Sequence, residues 1–129
     1  MSRTLDLNFD FTALALPIGR HRAGVDVVPL QPICKALGLD WEIERARVHD
    51  PDGWQRFGSC LFAIKYAGER REMVCIRLDR VIAFLATIDL DTIPKQGNDA
   101  AIAFLLRKQK EWGAVLWRHS LGPALGVQH

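Results

Sequence analysis

The chain has 129 residues, of which 49% are hydrophobic and 25% charged, and its formal net charge at pH 7 is +2. This composition excludes a disordered protein, no apolar stretch approaches the roughly 18 residues of a membrane span, and the N-terminal residues carry acids where a secretory signal would be apolar. We therefore expect one cytoplasmic globular domain over residues 1–129, with a core at about 9–119 and a flexible tail at 121–129.

An antiparallel hairpin is predicted near the N-terminus. Apolar side chains occupy every second position over residues 9–19, which is the spacing of a strand with one buried face. The polar stretch at 20–24 ends in glycine and predicts a turn. The β-branched run at 25–28 predicts the returning strand.

Two short helices joined by a tight turn are expected after this hairpin. In the segment QPICKALGLDW an apolar run reaches Gly38, and a second run follows at once, so we predict helices at about 30–38 and 40–49. Asp40 has the position and the side chain of an N-cap for the second helix. The turn signal DPDG at 50–53 is expected to end that helix. The pair is similar to a helix-turn-helix.

The second half of the chain predicts another hairpin and a long helix. Residues 59–78 contain two alternating strand patterns around a charged turn with a glycine. Asp79 is then expected to cap a helix of about two turns. After a connector at 88–97, apolar residues recur with helical spacing from Asn98 to about Ser120. The expected fold is α+β, with two hairpins packed against short helices and a long C-terminal helix.

Motifs of catalysis and of cofactor binding are absent from the sequence. The three cysteines show no C-x-x-C spacing, the four histidines are scattered, and neither a phosphate-binding loop nor a nucleophile motif occurs. We expect the cysteines to be buried small hydrophobes. The sequence therefore predicts a non-enzymatic protein that holds no metal and no cofactor.

Three segments carry a family resemblance: VVPLQPICKALGLDW, REMVCIRLD and QKEWGAVLW. Together they resemble the N-terminal domain family of phage antirepressors, which is similar to the Bro-type N-terminal domains of viral regulators, and the resemblance runs from about residue 9 to 119. It implies a phage or prophage regulator that opposes a repressor. Antirepressors of this kind bind the repressor protein, whereas the Bro-type relatives bind DNA, so the resemblance leaves two mechanisms open.

The charge of the chain favours a protein partner over DNA. A DNA reader needs lysines and arginines that neutralise phosphates, whereas the net charge here is only +2. The second helix is slightly acidic, and an acidic face would mimic the phosphate backbone towards the basic DNA-reading surface of a repressor. The residues predicted to bind the partner are Glu42, Glu44, Asp50, Arg70 and Arg71. The two arginines belong to the charged hairpin turn at 68–72. They are included because loop tips are common recognition sites.

The register of the second helix also departs from a standard recognition helix. With Gly38 at the turn, the positions expected to be buried are Glu44 and Arg47, whereas the apolar residues lie one position before or after them. The alternative nevertheless remains a sequence-specific DNA-binding module at about 30–49. Its predicted contacts are Lys35, Trp41, Arg45, Arg47 and His49.

Self-association is expected through the long helix. The apolar residues of this helix extend around more of its surface than one packed face can bury. Because contiguous exposed apolar area usually marks a contact, we predict a homodimer. The residues predicted to form it are Phe104, Leu106 and Trp117. A third possibility is a structural or degenerate prophage interaction protein without regulatory activity.

Overall fold

The computed structural model describes residues 3–116, with side chains up to residue 113. The strands of this range are β1 (Arg3–Asn8), β2 (Ala13–Arg20), β3 (Asp26–Pro29), β4 (Cys60–Tyr66) and β5 (Glu69–Arg77). The α-helices are α1 (Gln31–Leu37), α2 (Trp41–His49), α3 (Pro51–Phe57), α4 (Val81–Ala86) and α5 (Asp99–Leu116). The strands form one antiparallel sheet in the order β1-β2-β3-β5-β4. The predicted α+β fold is confirmed, and the two predicted hairpins are parts of this single sheet.

The first strand was missed by the sequence analysis. β1 pairs with β2 from Arg3 opposite Ile18 to Asn8 opposite Ala13. It adds a strand before the predicted hairpin of β2 and β3, and β2 begins at Ala13 rather than at residue 9. Phe9 and Phe11 lie in the turn between these strands rather than on a strand. Their rings pack edge-on against Phe104 of α5, which explains why aromatic residues occupy a turn.

The hairpin of β4 and β5 confirms the predicted alternation. A two-residue turn joins the strands, and both of its residues, Ala67 (φ 55°) and Gly68 (φ 83°), have the left-handed conformation that two-residue hairpins of type I′ require. The pairing runs without a bulge from Tyr66 opposite Glu69 to Cys60 opposite Cys75.

The sheet is curled, so that β2 and β4 touch although two strands lie between them. Gly19 makes this approach possible, because a Cβ atom at this position would collide with the ring of Phe62. The concave face encloses a small apolar cluster that includes Val27, Met73 and Cys75. The helices cover the other face and enclose the main core.

The two helices predicted around Gly38 are present. α1 ends at Gly38, which has a left-handed φ of 71°. The side chain of Asp40 caps α2, because its Oδ1 accepts hydrogen bonds from the backbone amides of Glu42 (3.0 Å) and Ile43 (3.3 Å). The predicted N-cap is therefore confirmed.

A third short helix follows where the sequence analysis expected only a turn. Asp50 ends α2 and also begins α3: its Oδ1 accepts from the backbone amide of Asp52 at 2.9 Å, and Pro51 occupies the first helical position. Proline is well suited to that position because the amide it lacks would have no partner within the helix. The motif DPDG thus ends α2 and begins α3.

The later helices enclose the core as predicted, with one exception in their capping. Phe84 and Leu85 of α4 and Leu105 of α5 are fully buried against the sheet and α1. Asp79 does not cap α4, which begins without a side-chain cap after a 3-10 turn. The Asp79 carboxylate instead accepts two hydrogen bonds from Arg77.

Asp26 of β3 joins three strands, and this makes stability depend on pH. Its carboxylate accepts from Arg3 of β1 at 2.7 Å and from Arg20 of β2 at 3.1 Å, and these hydrogen bonds lower the pKa of Asp26 to about 2. Since this folded-state pKa lies below the unfolded value, the unfolded chain binds more protons between the two values. Stability therefore falls as the pH drops from about 4 towards 2.

We expect Asp26→Asn to flatten the dependence of Tm on pH in this window, measured by circular dichroism melts. The matched control is Asp6→Asn, since Asp6 of β1 is exposed and forms no ion pair with any residue of 3–116. This control is expected to keep the slope of the wild type. Equal slopes for the wild type and Asp26→Asn would contradict the role of Asp26.

Candidate functional site

The core-facing side of α2 holds an ion pair between a buried glutamate and a partly buried arginine. Glu44 is only 2% exposed, and its Oε1 accepts from Nε of Arg47 at 2.9 Å. Arg47 also donates to the hydroxyl of Thr87 (2.9 Å) and to the backbone carbonyl of Phe84 (3.2 Å). Its guanidinium lies 4.5 Å from the ring centre of Phe84 and 5.2 Å from that of Phe57. The pair attaches α2 to α3 and α4.

This arrangement corrects two predictions of the sequence analysis. Glu44 cannot contribute to an acidic face, because the protein interior encloses it. Arg47 is poorly placed to neutralise a phosphate, because it is partly buried and three of its five N–H donors are used by Glu44, Thr87 and a carbonyl group of α4. The register is only partly that of a standard helix-turn-helix: of the two positions that such a motif buries, Glu44 is buried, whereas Arg47 is partly buried and Val48 is the second buried residue of α2.

The outward side of α2 borders a cavity of about 600 Å³, which we call the α2–α3 groove. Glu42 and Arg45 form an exposed ion pair at 2.6 Å along its border, and His49 completes this side of the helix. The cavity lies between α2, α3 and the β4–β5 hairpin. Its lining residues are Glu42, Arg45, Ala46, Val48, His49, Trp54, Ser59, Cys60, Leu61 and Val74.

Two large apolar side chains of this groove are exposed. Trp54 of α3 is 57% exposed, and Leu61 of β4 is 63% exposed. Neither was predicted from the sequence as a functional residue. Trp54 lies on the helix that was not predicted, whereas Leu61 carried a usable signal: it is an apolar residue on the side of a strand opposite the buried alternating set.

The cysteine in this groove is part of an apolar wall rather than a reactive group. Cys60 is half-buried, and burial raises the pKa of its thiol. Burial also raises the pKa of Cys75, its cross-strand neighbour, to about 12. Both thiols therefore stay protonated near neutral pH and are poor nucleophiles.

A second cavity of about 430 Å³ lies between α1, the start of α2 and the β4–β5 hairpin, and we call it the α1–β5 groove. It brings together residues from both binding hypotheses, namely Lys35, Trp41 and Arg71. Its lining residues are Gln31, Pro32, Lys35, Leu39, Trp41, Tyr66, Arg71 and Met73. Arg70 precedes Arg71 on the strand and therefore points to the opposite face of the sheet.

Other predicted site residues lie apart from both grooves. Asp50 is exposed at the junction of α2 and α3, where its side chain caps α3. Phe104 is only 4% exposed and packs against the rings of Phe9 and Trp112, so it cannot form the predicted dimer contact. Leu106 is 51% exposed, and Trp117 lies outside the described residues.

Over residues 3–116, no group of three histidine, cysteine or carboxylate side chains is placed to hold a metal ion. None of the helices in this range is both long and apolar enough to pass through a membrane. Among known proteins, the family model described as the P22_AR N-terminal domain matches residues 10–121. No curated protein and no solved structure matches the chain.

Proposed function

The chain belongs to the P22_AR N-terminal domain family of phage antirepressors and is thus a phage regulatory protein, and we propose that it acts by binding a repressor or another regulator protein. On this proposal the protein works in the host cytoplasm by association rather than by catalysis. The binding surface that we assign to this function is the α2–α3 groove.

The observation that carries this proposal is the pair of exposed apolar side chains in a concave surface. Trp54 and Leu61 are each more than half exposed, and both line the same groove. Monomeric proteins seldom leave large apolar side chains grouped in this way, and such patches usually bind another protein. Tryptophan is also enriched among the residues that contribute most to protein interfaces.

The charges around this groove favour a protein over a phosphate backbone. Of the two arginines on α2, Arg47 is partly buried and pairs with Glu44, and Arg45 pairs with Glu42. The helix therefore presents little free positive charge to DNA. The acidic face is also smaller than the sequence suggested, so apolar contact with Trp54 and Leu61 supports partner binding more than charge mimicry does.

We expect the double variant Trp54→Ser, Leu61→Ser to bind its partner at least about thirtyfold more weakly, because two central apolar contacts of an interface are worth about 2 kcal/mol or more together. The measurement is isothermal titration calorimetry against the purified repressors encoded in the same phage or prophage genome. Circular dichroism checks that the double variant keeps its fold.

The matched control is Ile82→Ser. Ile82 is an exposed apolar residue of α4 (39% exposed) that does not line the groove. This variant is expected to bind like the wild type. Equal affinity of the double variant and the wild type, or an equal loss in Ile82→Ser, would assign binding to a different surface.

The predicted homodimer stays a proposal. With Phe104 buried, Leu106 is the predicted contact that remains exposed among the described residues.

A further inference from the structure

Part of β5 forms an open sheet edge. β3 pairs with β5 only from Cys75 to Arg77, and one more hydrogen bond, from the amide of Leu30 to the carbonyl of Val74 (3.0 Å), extends this contact. There the chain turns away into α1. Within residues 3–116, the remaining segment 69–73 pairs only with β4 on its other side.

The hairpin turn determines which backbone groups face this open edge. In a two-residue hairpin the residues that flank the turn, here Tyr66 and Glu69, form a hydrogen-bonded pair, and such pairs recur at every second position. The amides and carbonyls of Arg70 and Glu72 therefore point away from β4. The carbonyl of Val74 follows the same alternation and accepts from Leu30 on this side.

The α1–β5 groove lies beside this edge and has a distinct chemistry. Lys35 and Arg71 line it, neither forms an ion pair with another residue of 3–116, and no carboxylate is among its lining residues. Trp41, Tyr66 and Met73 supply apolar surface between the two cations. The groove thus combines positive charge with an apolar floor.

We propose that an extended acidic segment of a partner protein binds here by adding a strand to the open edge of β5. Its backbone would pair with Arg70 and Glu72, and every second side chain would face the groove. An acidic side chain would lie between Lys35 and Arg71, and an apolar side chain two positions away would contact Trp41. This surface is distinct from the α2–α3 groove, so the proposal does not depend on the function assigned there.

The backbone geometry favours a peptide over a nucleic acid. The open edge offers both donors and acceptors, and another strand supplies both, whereas a phosphate backbone supplies only acceptors. The undescribed residues 117–129 contain neither aspartate nor glutamate, so they lack the side chains that this groove would pair. The occupant that we propose is an acidic segment of a partner protein.

The first test is selection from a displayed library of random decapeptides against the whole protein. We expect enriched peptides to carry an acidic and an apolar residue two positions apart. Their affinity is expected to fall at least about tenfold for the variant Lys35→Glu, Arg71→Glu, because two attractive charge contacts become repulsive. The control variant Lys65→Glu, Lys110→Glu makes the same charge change at two exposed lysines that do not line this groove, and it is expected to bind normally.

The second test is amide hydrogen exchange, measured by NMR with the best selected peptide. Binding is expected to slow exchange of the Arg70 and Glu72 amides, while those of Glu69, Arg71 and Met73 are already protected by β4. N-methylation of every second peptide amide can be placed in two ways. It is expected to abolish the slowed exchange when the methylated amides are those that face β5, and to leave it intact when they point away from β5.

Three results would overturn the proposal. The first is a selection that yields no acidic peptides, and the second is peptide binding that leaves exchange at Arg70 and Glu72 unchanged. The third is binding of a random single-stranded DNA 20-mer that Lys35→Glu, Arg71→Glu abolishes while no peptide binds, which would make the groove a nucleic-acid site.

Discussion

Arg47→Ala is expected to destabilise the protein by about 3–5 kcal/mol, because it leaves the carboxylate of Glu44 buried without its cation. The variant also loses the stacking of the guanidinium on Phe84 and its hydrogen bond to Thr87. Urea unfolding is expected to show a lower midpoint at an unchanged slope. The melting temperature is expected to fall by roughly 10 °C or more.

Two matched variants separate burial from charge in this prediction. Arg45→Ala removes the neighbouring arginine and its exposed pair with Glu42, and it is expected to cost only about 0.3–0.5 kcal/mol. The double variant Glu44→Leu, Arg47→Met removes both buried charges and is expected to recover most of the stability lost in Arg47→Ala. If Arg47→Ala cost no more than Arg45→Ala, the buried pair would not hold α2 in place.

Gly53→Ala is expected to destabilise the protein by about 1–3 kcal/mol or more, because a Cβ atom at this position has no room. It would overlap the backbone carbonyl of Arg47 and would lie 2.9 Å from the Cα atom of Val48. Backbone atoms cannot rotate away as a side chain can, so α3 would have to move. Since α3 carries Trp54, the same variant is also expected to weaken partner binding.

The control for this prediction is Gly113→Ala in α5. Both glycines lie within helices, where alanine is favoured by about 0.5–1 kcal/mol, but a Cβ atom at Gly113 would meet no atom of the described part of the chain within 4 Å. Gly113→Ala is therefore expected to raise the melting temperature, whereas Gly53→Ala lowers it. A rise in both variants would show that α2 and α3 are not packed as closely as described.

Elements specified by neighbouring residues were predictable from the sequence. The cap at Asp40 and the turn at Gly38 depend on atoms within one helical turn, and both are present. The motif DPDG was misread for a related reason: aspartate followed by proline ends one helix and begins another with the same residues. The end of α2 was predicted at the correct place, but the start of α3 at the same residues was not predicted.

The candidate site was harder to predict than the fold. The two grooves form where α1, α2 and α3 meet the β4–β5 hairpin. These segments lie side by side because β3, which leads into α1, pairs with β5 in the sheet. Charge patterns along α2 suggested a contact face, but they do not reveal which charges neutralise each other. The exposed apolar pair, Trp54 and Leu61, combines a helix and a strand that no local pattern connects.

By itself the sequence determined the family, the α+β class and the caps and turns of most elements, because each of these depends on residue types at short spacing. The tertiary structure alone decided the fate of Glu44 and Arg47. Phe84 of α4 and Thr87 directly after it come about 40 positions later in the chain, and they complete the site in which Glu44 is buried and Arg47 is partly buried. A charged residue is exposed unless distant segments enclose it, and no pattern within α2 records whether they do.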